Sequence, residues 1–395
     1  MKLYIGKEEF LKRIKVQEGR LLIESLSRKD ISLSQVLFPL RPLVPASAHG
    51  SIPDRVWAIL NDPIIRKGNV IDLTEEQANL CKTKIDRFVR ADKPIALAFI
   101  GFPFKANLNP LKTNRHLPDL GELYFLRQLA RISLTVQQVY SPGVRWIVLT
   151  EGEAYQELLD VPTEEVAAYQ RTIHEFATIL GMTDYVTFQS LAQLCARYDY
   201  FPEVALKLEE QLYWDYRNEP GKLPREFHTM LWTMRQSMDL RSYSAEELYY
   251  LADDEQLVEA PAAIRELWKQ VTTRAALVTC RYLAFNQAKN MAATNGGSIV
   301  EEAYPEACYV SITPKLGRYA FHALSQHSRF LPHHGVPVLV GKRNGYVRIA
   351  YLVDILSKPH LYRAVYVSED KEQLPFFYHQ QQSGKANHAN GGWEV

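Results

Sequence analysis

Between residues 94 and 190 short apolar runs alternate with longer amphipathic ones, and this alternation restricts the fold more than any other feature of the chain. "PIALAFIG" (94–101) is continuously apolar, as a strand covered on both faces must be. From about 120 to 139, Leu123, Leu126, Ala130 and Leu134 fall on one helical face, with Asp119 ahead of them and Pro142–Gly143 as the stop. "VRWIVLT" (144–150) is a second strand. A second helix follows, with Thr163 expected as its N-cap and Gly181 as its stop, and "DYVTF" is a third strand. Strand, helix, strand, helix, strand at these spacings makes a doubly crossed parallel sheet, so the class is α/β. Right-handed crossovers bring the strand-exit loops to one edge.

The flanking regions have different textures. Residues 1–90 read as a mainly helical lead-in that ends in a helix opened by a Thr74–Gln77 capping box. Residues 91–190 hold the βαβαβ core and 191–292 a helical insert rich in Tyr, Trp and Arg. After the turn "TNGG", strands return over 305–370: "ACYVSIT", then a hairpin "VPVLVGKRNGYVRIAYL" whose Asn-Gly pair suits a type I′ turn. Residues 377–395 read as a flexible tail, leaving 1–376 as a single catalytic domain. There is no internal repeat.

A net charge of +1, from 46 basic and 45 acidic residues, creates no global field toward nucleic acid or an anionic membrane. A small-molecule partner is the expectation. Cys81, Cys195, Cys280 and Cys308 are scattered, without a C-x-x-C pair or histidines at zinc-ligand spacing, and read as reduced thiols. The charged start lacks a signal-peptide core and the longest apolar run is too short to span a bilayer, so a cytoplasmic location is expected.

The loop after the first strand, "FPFKANLNPLKTNRHLPDLGE" (102–122), concentrates polar chemistry where open parallel sheets bind ligands. Lys105, Asn107, Asn109 and Lys112 can hold an anion, or can simply belong to a solvated loop. His116, in the same loop, joins the substrate-binding candidates. Asp119 and Glu122 have the D-x-x-E spacing of a capping box, which competes with a catalytic role. Glu151 ends the second strand and can act as a base or amine anchor. Further on, Lys315, Arg318, His333 and His334 add candidates. Adjacent histidines on a strand would face opposite ways, which argues against a metal and for one of them lining a pocket.

Taken in order, "FPFKANLNPLKTNRHLPDLGE", "YSPGVRWIVLTEG" and "LPHHGVPVLVG" resemble the isocyanide (isonitrile) synthases of the pyoverdine/dityrosine biosynthesis family, over about residues 94–345. The resemblance implies a modified Rossmann-like parallel sheet, with helical N-terminal and middle segments and a C-terminal β-hairpin. Lys105, Asn109, Lys112, Asp119 and Glu122 fall on the family's loop pattern, Glu151–Gly152 on its Asp-Gly pair, His333–Val336 on its Trp-His-Gly-Val element, and Arg281 on a helical arginine. It implies condensation of the amine of L-tyrosine or L-tryptophan with ribulose 5-phosphate, C2 of the sugar becoming the isocyano carbon. Lysines would hold the phosphosugar, while Glu122, Asp119, Glu151 and His334 would handle protons or the amine. No cofactor or metal is implied; a downstream Fe(II)/2-oxoglutarate oxygenase is implied as a pathway partner.

The chain also departs from that pattern. Thr313 stands where a histidine is usual, the Asp-Gly pair is Glu151–Gly152, and His333 replaces the aromatic residue. A different amine or product, or a non-catalytic ligand-binding homologue, therefore stands beside the first expectation.

Overall fold

The computed structural model describes residues 3–37, 39–44, 49–68, 73–105, 108–293, 297–315, 317–341 and 345–381. Three strands precede the alternating region. β1 (Ile14–Gln17) and β2 (Arg20–Ile23) form an antiparallel hairpin turned by Glu18 and Gly19, both at positive φ (52° and 71°). β3 (Ser27–Ile31) follows. Helices do dominate the regular structure of 1–90, covering Lys7–Arg13, Ile52–Leu60 and Glu75–Arg90, but the three strands lie between the first two of them and were not expected. The hairpin was legible in the two-residue loop of "KVQEGRLL". β3, "SRKDI", has no apolar alternation and becomes a strand by pairing with the distant segment Tyr362–Val367; its charges suit the sheet edge it occupies. Thr74 and Gln77 do form the capping box of the 75–90 helix.

The alternating region builds a parallel sheet. β4 (Ile95–Gly101), β5 (Val144–Thr150), β6 (Val186–Ser190) and β7 (Cys308–Tyr309) lie in the order β6-β5-β4-β7, every neighbouring pair parallel. The register pairs Ile95 with Val144 and Gly101 with Thr150, so β4 and β5 end level. The crossover helices are Leu120–Gln137, then Gly152–Leu159 and Thr163–Ile179. Pro162, and not Thr163, is the N-cap of the last, with no side-chain cap bond. Its end is as expected: the Gly181 and Met182 amides bond the Thr178 and Ala177 carbonyls at 2.9 and 2.8 Å. The "ACYVSIT" strand is regular only at Cys308–Tyr309; beyond Val310 the segment bends away from β4 and bridges Ser311 to Ala320.

A second, mixed sheet adds β8 (Val336–Val340), β9 (Tyr346–Ala350), β10 (Tyr362–Val367) and β11 (Phe377–Gln380) in the order β3-β10-β11-β8-β9. β8 and β9 form the expected hairpin, but residue 344 of its Asn-Gly turn lies outside the described residues, as do 294–296 of the "TNGG" turn. The tail expectation is corrected at its start. Residues 377–380 form β11, hydrogen-bonded on both sides to β10 and β8, because Phe377 and Tyr378 are apolar enough to be buried there. Residues 382–395 lie outside the described residues.

The core between the layers is aromatic. Phe99 of β4 packs against Trp146 of β5 and against Phe321, at ring-centroid distances of 5.8 and 5.3 Å. The buried Trp146 indole is satisfied by Leu129 O and Ser133 Oγ, each at 3.1 Å. The helix Ala262–Met291 packs along Phe201–Asn218 and Glu226–Arg235. Among the described residues no helix is long and apolar enough to cross a membrane.

Candidate active site

β4 neighbours β5 on one side and β7 on the other, and the crevice at such a branching of strand order is where open α/β sheets hold ligands. A cavity of about 360 Å³ lies there, lined by Ile100, Pro103 and Phe104 after β4, Glu151 after β5, and Tyr309 to Thr313 from β7 onward. The loop leaving β4 is held in an unusual conformation. Phe102 has φ +51°, its carbonyl accepts from Gln170 Nε2 at 2.8 Å, and its ring stacks on Phe125 at 4.6 Å. Gly152 lets that loop pass: a Cβ there would lie 2.4 Å from Pro103 O and 2.7 Å from Val166 Cγ1. The Glu-Gly pair thus sets Glu151 beside Pro103 at the cavity wall.

Glu151 faces a cluster of cations. Lys289, Lys315 and Arg318 all line the same cavity, and among the described residues no hydrogen bond or ion pair closes on the Lys289 or Lys315 ammonium. Burial pushes Lys289 down to about 8, against the opposing charge of Glu151 and with Lys315 adding to the depression. Burial likewise lowers Lys315 and raises Glu151, whose ionised form Lys289 favours. The Arg318 guanidinium sits 3.8 Å from the Tyr309 ring centroid, which holds its plane. Three cations converge there around one carboxylate, and that excess of positive charge suits an anion.

A second polar stretch lies across the cavity lining. Lys112 donates to Ser237 Oγ at 3.2 Å, and burial brings it down to about 8. His333 and His334 belong to a one-turn helix, Pro332–His334, so both rings reach the cavity, 4.1 Å apart. The expectation that adjacent histidines would diverge assumed a strand. Burial, then the charge of Lys112, depresses His333 to about 3; burial and the neighbouring His333 hold His334 well below its ordinary value too. Both are neutral hydrogen-bonding groups at ordinary pH. Gly335 closes this turn, since a Cβ there would lie 2.2 Å from Ala350 O. Among the described residues no three His, Cys, Asp or Glu side chains converge on a point that could hold a metal.

The remaining wall is apolar: Met230 and Met234 from the 226–235 helix, Leu158 and Leu159, and Val278 with Tyr282 from the long helix. Sequence reading missed this face. Val278, Tyr282, Asn286 and Lys289 all line the cavity and recur at helical spacing, and a lysine within that stripe was the available signal.

Other candidates are placed elsewhere. Lys105 is wholly buried behind the cavity, paired with Asp119 and, at 3.2 Å, with Glu122. It therefore has no free charge for a phosphate. Asp119 and Glu122 form the reciprocal capping box of the 120–137 helix, Glu122 also accepts from Tyr169 OH at 3.4 Å, and neither lines the cavity. Burial pushes the Asp119 carboxyl up, opposed by the Lys105 charge. Asn109 spends both ends of its amide on the backbone, Nδ2 to Gln236 O and Oδ1 from Leu111 N, each at 3.0 Å. Asn107 lies outside the described residues. His116 has Nδ1 2.8 Å from Glu372 in a cluster with Arg115, and Arg281 pairs with Glu209 at 2.8 Å on a partly exposed helix face. Both miss the cavity because a carboxylate from a distant segment reaches them first. Thr313 is on the lining, its amide bonded to Ser311 Oγ at 3.2 Å.

Known proteins resemble this chain in sequence and in fold. An L-tyrosine isonitrile synthase of Xenorhabdus nematophila is 26% identical over 265 residues, covering 64% of this chain and 70% of that protein. An L-tryptophan isonitrile synthase of Fischerella ambigua is 26% identical over 105 residues, 27% of this chain and 33% of that protein. The isocyanide synthase A of Aspergillus fumigatus is 28% identical over 149 residues, 37% of this chain but 24% of that protein. The crystal structure of the PvcA protein from Pseudomonas aeruginosa superposes with a TM-score of 0.58 at 17% identity, covering 84% of this chain and 100% of that one, a likeness of fold. The sequence profile of the pyoverdine/dityrosine biosynthesis proteins matches residues 85–353, a span that contains the whole parallel sheet and both polar stretches of the cavity, and the chain belongs to that family.

Proposed function

We propose that this protein makes an isonitrile from the α-amino group of an aromatic L-amino acid, tyrosine or tryptophan, with ribulose 5-phosphate supplying the isocyano carbon. The observation that carries the reading is a cavity with a net cationic end, where Lys289, Lys315 and Arg318 outnumber Glu151, and an apolar, aromatic body at Met230, Met234, Tyr155 and Tyr282. The cationic end suits a phosphate dianion, which takes charge-assisted bonds from both Lys and Arg. The apolar body suits an aromatic side chain. The amine must lose a proton before it attacks the C2 ketone, and Glu151, raised by burial, is a stronger base than a solvated carboxylate. Lys112, with His333 and His334 as neutral hydrogen-bonding groups, orients the polar atoms at the other stretch. Carbon–carbon cleavage of the resulting imine, a lyase-type step, leaves C2 on nitrogen. An Fe(II)/2-oxoglutarate oxygenase is the proposed next enzyme, as the resemblance implies.

The test is direct. Purified protein is incubated with L-tyrosine or L-tryptophan and ribulose 5-phosphate labelled at C2, and the product is analysed by mass spectrometry. One labelled carbon in an isonitrile product is expected. Absence of a labelled product with both amino acids, in protein that binds the phosphosugar, would overturn the assignment.

A further inference from the structure

A second cavity, of about 440 Å³, opens between the Leu120–Gln137 helix and the β8–β9 hairpin, and it shares no lining residue with the first. Arg127 and Arg131 stand one turn apart on that helix and both line it, with Gln128, Gln326, His327 and Tyr346. Among the described residues that line it there is no aspartate or glutamate.

Each arginine also touches the chain's N-terminal part: Arg127 Nη2 donates to Pro39 O and Arg131 Nε to Arg41 O, each at 3.2 Å. Fastening a loop to a helix accounts for those two bonds. Arg127 also lies over the Tyr124 ring, 5.3 Å from its centroid, and two like charges one turn apart, half-buried beside a void, oppose each other, so an anion between them would be favoured. Burial depresses both guanidiniums, the charge of Arg127 depresses Arg131 further, and the Tyr124 phenol opposes both effects weakly. Neutral donors and acceptors complete the lining: Gln128 is buried, and the His327 ring lies 4.5 Å from that of Tyr346. Guanidiniums with convergent hydrogen-bonding groups in a concave wall are what a small oxyanion needs.

We propose that this cavity is a second ligand site, which takes a small oxyanion, either a phosphate ester or a carboxylate, between Arg127 and Arg131, with His327 and Gln128 as further contacts. An occupant would touch two elements that adjoin the active cavity without lining it: the helix capped by Asp119, which with Glu122 holds Lys105, and β8, which begins directly after His333, His334 and Gly335.

The test uses full-length protein carrying Lys289→Met, Lys315→Ala and Arg318→Ala, so that the cationic cluster of the first cavity is removed whatever that cavity's function. Inorganic phosphate, glycerol phosphate and benzoate are titrated calorimetrically, and melting temperature is followed in parallel. One remaining site for at least one probe is expected, and Arg131→Gln in that background weakens it about tenfold or more, the scale of one charge-assisted bond. Preference for the two phosphates assigns a phosphate ester, and preference for benzoate a carboxylate. Should Arg131→Gln lose the fold, His327→Gln provides the same reading without touching the loop contact at Arg41. No binding of any probe in the background protein, or binding that neither substitution changes, overturns the proposal.

Discussion

The ammonium of Lys105 lies 3.2 Å from the carboxylate of Glu122, with both side chains wholly buried and Asp119 bonded to the same ammonium. A loop lysine that sequence offers as a phosphate anchor is therefore the counter-ion of a helix cap. Removing it would leave two carboxylates buried together. Lys105→Ala is expected to destabilise the fold by about 3–5 kcal/mol, measured by denaturant unfolding, the cost of breaking a buried pair from one side. A Lys105→Ala protein as stable as the parent would show that the carboxylates find another partner.

Glu122→Gln separates the cap from the charge. The glutamine can still accept from the Asp119 amide, now 3.0 Å from Glu122 Oε2, but it no longer neutralises Lys105. A loss of about 1.5–3 kcal/mol is expected, the range for a hydrogen bond to a charged group. Turnover per folded molecule should be nearly unchanged; an inactive protein of unaltered stability would instead give Glu122 a chemical role.

Lys289→Met tests the anion end. The lysine is buried with no hydrogen bond or ion pair among the described residues, its ammonium 5.4 Å from the Phe285 ring centroid, so replacing it with an apolar chain of similar length should stabilise the fold by about 0.5–2 kcal/mol. Ribulose 5-phosphate binding should weaken by about 1.5–3 kcal/mol, read by calorimetry. Lower stability with unchanged binding would place the phosphate elsewhere.

Binding should also depend on pH in a defined direction. Lys289 and Lys112 both titrate at about 8, and only their protonated forms attract phosphate. Affinity is expected to fall as pH rises through about 8, and Lys289→Arg should move that limb upward, since arginine keeps its charge. His333, at about 3, is neutral on both sides of the limb, so His333→Gln should not shift it.

Glu372 should control acid stability. Burial alone would raise it, but the hydrogen bond from His116 and the charge of Arg115 hold it at about 2, below the usual 4.5. A depressed carboxylate contributes stability above its unfolded value and loses it as pH falls from about 4.5 toward about 2. Glu372→Gln should therefore be less stable than the parent at neutral pH, and the difference should close as pH falls from about 4.5 toward about 2, because the replaced side chain has no charge to lose. His116→Ala should leave turnover close to that of the parent.

Much of the architecture was legible without coordinates because it rests on local physics. The continuous apolar run at 95–101 and the largely apolar one at 144–150, broken by the exposed Arg145, have the length and β-branched content of strands packed in a sheet, and the Asp119 and Thr74 caps follow from side-chain oxygens three residues ahead of a partner. The same locality places Glu151 at a strand exit and His333–His334 ahead of a strand, and both reached the cavity. Tertiary structure decided the rest. Lys105 and Lys112 sit seven residues apart in one loop, yet one is neutralised by carboxylates and the other faces the cavity, since charge is settled by what folds against it. Lys289 gains its role from Glu151, Lys315 and Arg318, which arrive from separate segments. β3 and β11 are strands because β10 lies beside both, and a strand's hydrogen bonds, unlike a helix's, are made with residues that no local pattern names.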